Sequence, residues 1–271
     1  MKTGAFTHNF NFNLGDSWNK VLEFPGDEQI TQVEELSRII RVGVPLNSYY
    51  GYKMAGFFQS YDEIEASAIP VGAKVQPGDI KFVDRNDDGI IDSKDKFILG
   101  NAFPRYTFGF TYGLNWKGID FSMFWQGVGK RDMMLRGELI EPYHANYSYT
   151  IYKHQLDFWT PTNTEARWPR LAAPGSDSNR NNYGNGNGSD LFLLDGKYLR
   201  LKNLTIGYTL PKEWTKHLGM QKARLYINGQ NLLTFSNNSF IDPESSEFDS
   251  KMSTSGANSG RSYPCLLYTS P

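Results

Sequence analysis

Apolar and polar residues alternate with a period of two along several stretches of this chain, the signature of strands with one greasy and one polar face. Phe6, Phe10, Phe12 and Leu14 alternate with Thr7, Asn9, Asn11 and Asn13. Tyr106, Phe108, Phe110, Tyr112 and Leu114 alternate with Thr107, Gly109, Thr111, Gly113 and Asn115. Ile119, Phe121, Met123 and Trp125 alternate with Asp120, Ser122, Phe124 and Gln126. Leu204, Ile206, Tyr208 and Leu210 alternate with Thr205, Gly207 and Thr209. Ala223, Leu225, Ile227 and Gly229 alternate with Arg224, Tyr226, Asn228 and Gln230. Two further strands are expected over 37–42 and 49–58. Only short helical pieces are expected, over 62–68 and 149–159.

The polar faces are uncharged and small, rich in Gly, Thr, Asn, Ser and Gln. A soluble β-sandwich would carry many Lys and Glu there. Small neutral residues suit the wet inner wall of a wide barrel. Alternation alone leaves both architectures open. Connection lengths separate them. The connections 15–36, 59–104, 130–197 and 236–261 are long, whereas 43–48, 116–118 and 211–222 are short. Outer-membrane barrels sort their connections this way, with short periplasmic turns and long extracellular loops. The fold class expected is therefore all-β: a partial transmembrane antiparallel β-barrel of about seven or eight strands of a larger barrel, with long extracellular loops.

Composition narrows the function classes. The chain has 271 residues and a net charge of −1, too balanced for a nucleic-acid binder or a polybasic membrane-surface protein. Mean hydropathy is −0.52, and no apolar run is long enough for a spanning helix. Barrel strands are only half apolar, so this does not exclude a membrane barrel. Met1-Lys2-Thr3-Gly4 opens no apolar stretch, so no signal peptide is expected. The single Cys265 excludes an internal disulfide framework and a cysteine zinc site. Aromatic residues make up 15 %, beside 26 Gly, which favours strands and turns.

One motif carries chemistry. Asp84, Asn86 and Asp88 fall at positions 1, 3 and 5 of a calcium-loop pattern, Gly89 at 6, Ile90 at 7 through its carbonyl, Asp92 at 9 and Asp95 at 12. These oxygens predict a structural Ca²⁺ site that stiffens a long loop. Asp95 is shorter than the usual Glu, which weakens bidentate closure. The alternative is an Asx-rich turn closed by its own side chains. The loop aromatics Trp159, Trp168 and Tyr183 are candidates for stacking on sugar rings, or for packing the loops together. The stretch 175–190 is expected to be mobile or hydrogen-bonded to a polar partner. His8, His144, His154 and His217 show no metal spacing. Glu138 and Glu141 are the carboxylates a glycosidase could use, but nothing in the sequence positions them across a cleft, and no nucleophile or phosphate motif appears, so an enzyme is not expected.

The order of these pieces resembles the C-terminal part of a SusC/RagA-type TonB-dependent outer-membrane transporter. The matching runs are Tyr49-Tyr50-Gly51-Tyr52-Lys53 with Gly56-Phe57-Phe58-Gln59, then Gly78-Asp79-Ile80-Lys81-Phe82 leading into the acidic loop. Ile98-Leu99-Gly100-Asn101, Pro104, Phe108-Gly109-Phe110, Lys117-Gly118-Ile119-Asp120 and Gln126-Gly127 follow. Tyr198-Leu199-Arg200-Leu201-Lys202-Asn203-Leu204-Thr205-Ile206-Gly207-Tyr208, Gly229-Gln230-Asn231-Leu232-Leu233 and Asp242-Pro243-Glu244 complete the series.

The resemblance covers residues 1–263. It implies a segment of a roughly 22-stranded plugged barrel in the outer membrane of Bacteroidetes-type bacteria. It implies import of oligosaccharides or peptides with a SusD-like surface lipoprotein, energised through the TonB complex. No plug or TonB box is recognised in the chain. After Tyr263-Pro264 the expected aromatic-ended strand is replaced by Cys265-Leu266-Leu267-Tyr268-Thr269-Ser270-Pro271, so 264–271 reads as an aberrant or truncated tail. The competing expectation is a secreted, calcium-stabilised β-sandwich that binds glycans; the weakest is a glycoside hydrolase.

Overall fold

A computed structural model describes residues 1–33, 36–144, 149–184, 187–217, 219–244 and 257–258. The expected aberrant tail, 264–271, lies outside the described residues, as does most of the connection expected at 236–261. Strand β1 (Lys2–Thr3) turns into β2 (Phe6–Gly15). The connection that follows runs to residue 104 and holds eight strands: β3 (Glu28–Val33), β4 (Leu36–Arg41), β5 (Ser48–Tyr52), β6 (Met54–Phe57), β7 (Ile69–Pro70), β8 (Ile80–Phe82), β9 (Ile90–Ile91) and β10 (Lys96–Gly100). Next come β11 (Arg105–Trp116) and β12 (Ile119–Lys130). A second connection holds β13 (Asp132–Leu135) and β14 (Leu193–Asp195). The long strands β15 (Tyr198–Thr209) and β16 (Arg224–Ser236) follow, and β17 (Ala257–Asn258) pairs with β13.

One sheet has the order β1-β2-β11-β12-β15-β16, with every pairing antiparallel. The alternation set out above fixes its register. Phe110 stands opposite Phe12 on one side and Trp125 on the other, and Phe121 is followed across β15 by Ile206 and across β16 by Ile227. One face is thus continuously apolar. The β11–β12 turn, Lys117-Gly118, has φ of 45° and 90°, the two positive values that let a two-residue hairpin follow the strand twist. At Gly118 only glycine fits: a Cβ would come within 2.9 Å of the Thr209 carbonyl oxygen.

The sorting of connections is stricter than the sequence indicated. At one end of the sheet the chain makes two-residue turns between β1 and β2 and between β11 and β12, and passes from β15 to β16 through 210–223, which holds a short helix, Lys212–His217. At the other end it leaves through 16–104, 131–197 and the stretch after Ser236. The strand expected at 37–42 exists as β4, and the one expected at 49–58 is split into β5 and β6; β4 and β5 lie in a different sheet, of order β10-β5-β4-β3, and β6 pairs with β8 alone. This wall therefore comprises five long strands and the short β1. The reason is burial: Ser48 to Tyr52 are covered on both faces, which a barrel wall does not allow.

The long connections are not structureless. They build a folded cap with its own core, drawn from Leu36, Tyr49, Phe57, Ile80, Met133, Ile140, Trp168, Phe192 and their neighbours. None of that core cluster comes from the five long wall strands. Conversely, among the described residues no second sheet covers the wall's apolar face. Phe12 is 64 % exposed, Leu225 68 % and Ile227 79 %. Burial of a contiguous aromatic surface is what a sandwich is built for, so the sandwich expectation has no second layer here. Helix α1 (Tyr61–Glu65) forms where a short helix was expected, capped by Ser60 Oγ. The stretch 149–159 gives only a 3₁₀ turn, Lys153–Gln155.

Candidate functional site

The polar face of the wall is a lattice of amides and hydroxyls. Asn228 Nδ2 donates to Thr205 Oγ1 (2.7 Å) and to Asn203 Oδ1 (3.2 Å), and Thr205 Oγ1 donates to Asn203 Oδ1 (3.0 Å). Gly109 lies beneath the Asn13 amide, with the Phe124 ring close on its other side; a Cβ there would be 2.4 Å from Asn13 Oδ1 and 3.3 Å from Phe124. Phe124 is the exception in an otherwise polar row. Charge enters near the ends of the face. Asp120 and Arg224 form a bidentate pair (2.9 and 2.5 Å) near the short-turn end, and Asp16 holds Arg105 at the cap end.

At the cap end Arg200 is nearly enclosed. Its guanidinium donates to Thr234 Oγ1 (2.9 Å), Glu244 (2.8 Å) and Asp242 (2.7 Å), and Lys202 adds a 2.8 Å contact to Glu244. Arg131 Nη1 donates to the Pro243 carbonyl and Asn238 Nδ2 to that of Asp195. Residues 237–244 therefore form a strap tied to the wall. The strap also stacks Phe240 face to face on His154, with centroids 3.9 Å apart. Arg200 was not singled out from the sequence. The available signal was a lone arginine in a row of otherwise neutral inward positions.

The Asn-rich stretch 175–190 is hydrogen-bonded within the cap, as one of its two expectations required. It holds helix α2 (Asp177–Tyr183), in which Ser178, Asn179, Asn181, Asn182 and Tyr183 are all buried. Its side chains pin the segment before β8. Asp79 accepts hydrogen bonds from Ser178 Oγ (2.8 Å), Gln76 N (2.8 Å) and Asn182 Nδ2 (3.1 Å), while Asn182 Oδ1 accepts from Ile80 N (2.8 Å). Burial outweighs these bonds and pushes the Asp79 carboxyl above its usual range. A raised folded-state pKa means the folded cap holds that proton more tightly than the unfolded chain. The Asp79 contribution to stability is present below the ordinary carboxylate range and is lost as pH rises through the folded value. Urea titrations of Asp79→Asn at a series of pH values are expected to lack this component.

The loop aromatics are part of the cap core. Trp159, Trp168 and Tyr183 are 7 %, 3 % and 5 % exposed. Trp159 Nε1 donates to Gln59 Oε1, Trp168 Nε1 donates to the His154 carbonyl, and Tyr183 stacks on Phe192. Burial leaves these rings no open face for a sugar, which corrects the stacking expectation in favour of loop packing.

The 84–95 loop closes on its own amides. Asp84 Oδ2 accepts from Gly89 N (2.8 Å), Asp88 Oδ1 from Ile90 N (3.0 Å) and Asp92 Oδ1 from Lys94 N (2.7 Å). Asn86 Nδ2 donates to Asp88 Oδ2 (2.7 Å). Asp95 is fully buried and accepts from Arg85 N (2.9 Å) and Asp92 N (2.7 Å). The Lys94 ammonium stands 3.4 Å from Asp92 and 3.8 Å from Asp88. No three His, Cys, Asp or Glu side chains among the described residues converge on a metal position. Asp84 Oδ1 is the one loop oxygen left buried without a hydrogen-bond partner. Removing a buried acceptor strands its donors at about 1–3 kcal/mol. Asp95→Ala is therefore expected to speed amide hydrogen exchange at Arg85 and Asp92.

No family model matches the chain. Relatives do. TonB-dependent receptors P3 and P26 of Formosa agariphila are 32 % and 34 % identical to it, over 95 % and 91 % of the chain and 25 % of each receptor. TonB-dependent receptor SusC of Bacteroides thetaiotaomicron is 28 % identical over 89 % of the chain and 22 % of SusC. A solved structure of the RagAB peptide transporter matches with a TM-score of 0.68 at 18 % identity, over 95 % of this chain and 26 % of that one. The chain spans about a quarter of the length of the relatives it matches. By sequence the chain is similar over nearly its whole length to TonB-dependent receptors, SusC among them, and by fold it is similar to a quarter of the RagAB transporter chain.

Proposed function

We propose that residues 1–263 are the C-terminal barrel segment of an outer-membrane active transporter that imports oligosaccharides or peptides, works with a SusD-like lipoprotein and is energised through TonB. The observation that carries this reading is the bare aromatic face of the wall, combined with long connections gathered at one end only. A face with no covering layer needs lipid. The uncharged lattice opposite suits a hydroxyl- or amide-bearing cargo, and the relatives include a peptide importer, RagAB. In this reading the segment serves passage and not catalysis.

The test is fractionation and capture of the complete receptor. Recovery from outer membranes together with a surface lipoprotein, and loss of growth on one polymeric nutrient when the gene is deleted, are expected. A folded protein in the water-soluble fraction overturns the reading and favours the secreted sandwich.

Calcium at Asp84, Asn86, Asp88, Ile90, Asp92 and Asp95 is a second element of the proposal. Its support is the all-oxygen register, which suits a hard cation, and the unpartnered Asp84 Oδ1. Binding requires the carboxylates to turn away from the loop amides and displace Lys94. Millimolar Ca²⁺ is then expected to protect 84–95 from proteolysis, and Asp84→Ala to abolish the protection. Cleavage indifferent to Ca²⁺ leaves the loop as an amide-closed turn.

A further inference from the structure

The apolar face carries a polar pair near its short-turn end. His8 stands in the outward row of β2, between Phe6 and Phe10, and by register it faces Leu114. Its Nδ1 lies 3.0 Å from the Tyr112 hydroxyl. The rings beside it form a continuous strip. Trp116 stacks on Phe6 with centroids 5.4 Å apart, Phe6 on His8 at 6.2 Å, and His8 on Tyr112 at 6.1 Å. The strip ends at Lys117, whose ammonium lies 5.6 Å from the centre of the Trp116 ring.

The pair holds one donor too many. Where the Tyr112 hydroxyl donates to Nδ1, the imidazole proton sits on Nε2. Where Nδ1 donates instead, the hydroxyl hydrogen is left over. In either tautomer one N–H or O–H has no acceptor among the described residues. Water meets such a donor on a wet surface. On a face covered by hydrocarbon nothing does, and an unmet donor there is costly.

Position decides which acceptor is at hand. Two strand residues, about 7 Å, separate His8 from Phe6 in the last rung. With Lys117 reaching to the level of the lipid phosphates, His8 falls at the level of the glycerol esters, whose carbonyl oxygens only accept. Charge decides the headgroup. The three connections at this end hold Lys117, Lys212, Lys216 and Lys222 against a single Glu213, and all five are exposed. Such an excess attracts anionic headgroups. Short turns of outer-membrane barrels lie on the periplasmic side, where the leaflet consists of glycerophospholipids.

We propose that the strip from Lys117 to His8 and Tyr112 retains one anionic glycerophospholipid, with its phosphate against Lys117 and an ester carbonyl on the spare donor of the His8–Tyr112 pair. The proposal rests on the reading of the apolar face as lipid-facing. It goes beyond that reading by naming one position where a lipid is held by hydrogen bond and charge and not merely exchanged with the bulk.

The complete receptor, purified from outer membranes in mild detergent, is given equal amounts of phosphatidylglycerol and phosphatidylethanolamine and examined by native mass spectrometry. One phosphatidylglycerol per receptor is expected, retained severalfold better than phosphatidylethanolamine. His8→Phe keeps the ring stack but removes the imidazole, and it is expected to lower retention severalfold. Lys117→Glu is expected to remove the preference, and Lys117→Arg to keep it. Phe235→Leu, at the cap end of the same face, is expected to change nothing. Heat-modifiable mobility identifies the folded variants; should His8→Phe fail to fold, the Lys117 pair, placed in the turn, carries the test. Equal retention of both lipids, a preference that survives Lys117→Glu, or retention unchanged in folded His8→Phe overturns the proposal. In those cases recovery from the outer membrane still stands and the wall reading is untouched. A receptor found only in water-soluble fractions overturns both.

Discussion

Replacing Arg200 with alanine is expected to destabilise the junction between strap and wall by about 3 kcal/mol, at the low end of what breaking a buried ion pair costs. The side chain is 4 % exposed, and it satisfies Asp242, Glu244 and Thr234 together. Its removal takes away the cation that Asp242 and Glu244 share, while Lys202 remains beside Glu244. Asp242 and Glu244 retain partial contact with water, which places the cost below that of a fully enclosed pair. Arg200→Lys keeps one charge but cannot reach three acceptors from one planar fork, so an intermediate loss is expected. The readout is hydrogen exchange over 237–244, with faster exchange in Arg200→Ala than in Arg200→Lys. Unchanged protection in both would show that the strap is held by Phe240 on His154 and not by charge.

The second large effect separates the two faces of one strand. Met123 sits mid-strand between Tyr112 and Leu204, and Ser122 between Gly113 and Thr205. Met123→Arg places a charge on the apolar face near mid-membrane and is expected to cost about 2–4 kcal/mol. Ser122→Arg places the same charge among amides and water and is expected to cost little. Heat-modifiable mobility of the receptor in outer membranes measures the folded fraction, and it should fall for Met123→Arg alone. Equal losses for both variants would mean that the apolar face is covered by protein.

The wall was legible because five long strands repeat one rule. In 106–115 and 119–126 every residue but Phe124 declares its face by type, so alternation predicted the strands and which side of each is apolar. The cap was not legible as a folded body. Its core takes one to three residues from each of many short elements, such as Trp159, Trp168, Phe192 and Met133, and no window is long enough to show a period. In Ser48-Tyr49-Tyr50-Gly51-Tyr52 all positions are buried, so alternation could not distinguish a cap strand from a wall strand. Helix α2 was hidden for the opposite reason. Polar composition reads as exposure, whereas its amides are buried against Asp79 and Ile80, about a hundred residues earlier in the chain. The register of 84–95 was visible at once, but not that backbone amides occupy those oxygens.

The separation of the cap core from the wall has a consequence for how the molecule comes apart. The cap is held together by removing aromatic and aliphatic surface from water, and in the reading proposed above the wall's apolar face is sheltered by lipid or detergent. The two therefore answer to different solvents. Changing the amphiphile alters the wall's surroundings and leaves the cap's unchanged, and urea in the aqueous phase acts on the cap directly. Two melting events that move independently are the thermodynamic signature of such a division, each belonging to its own cooperative unit.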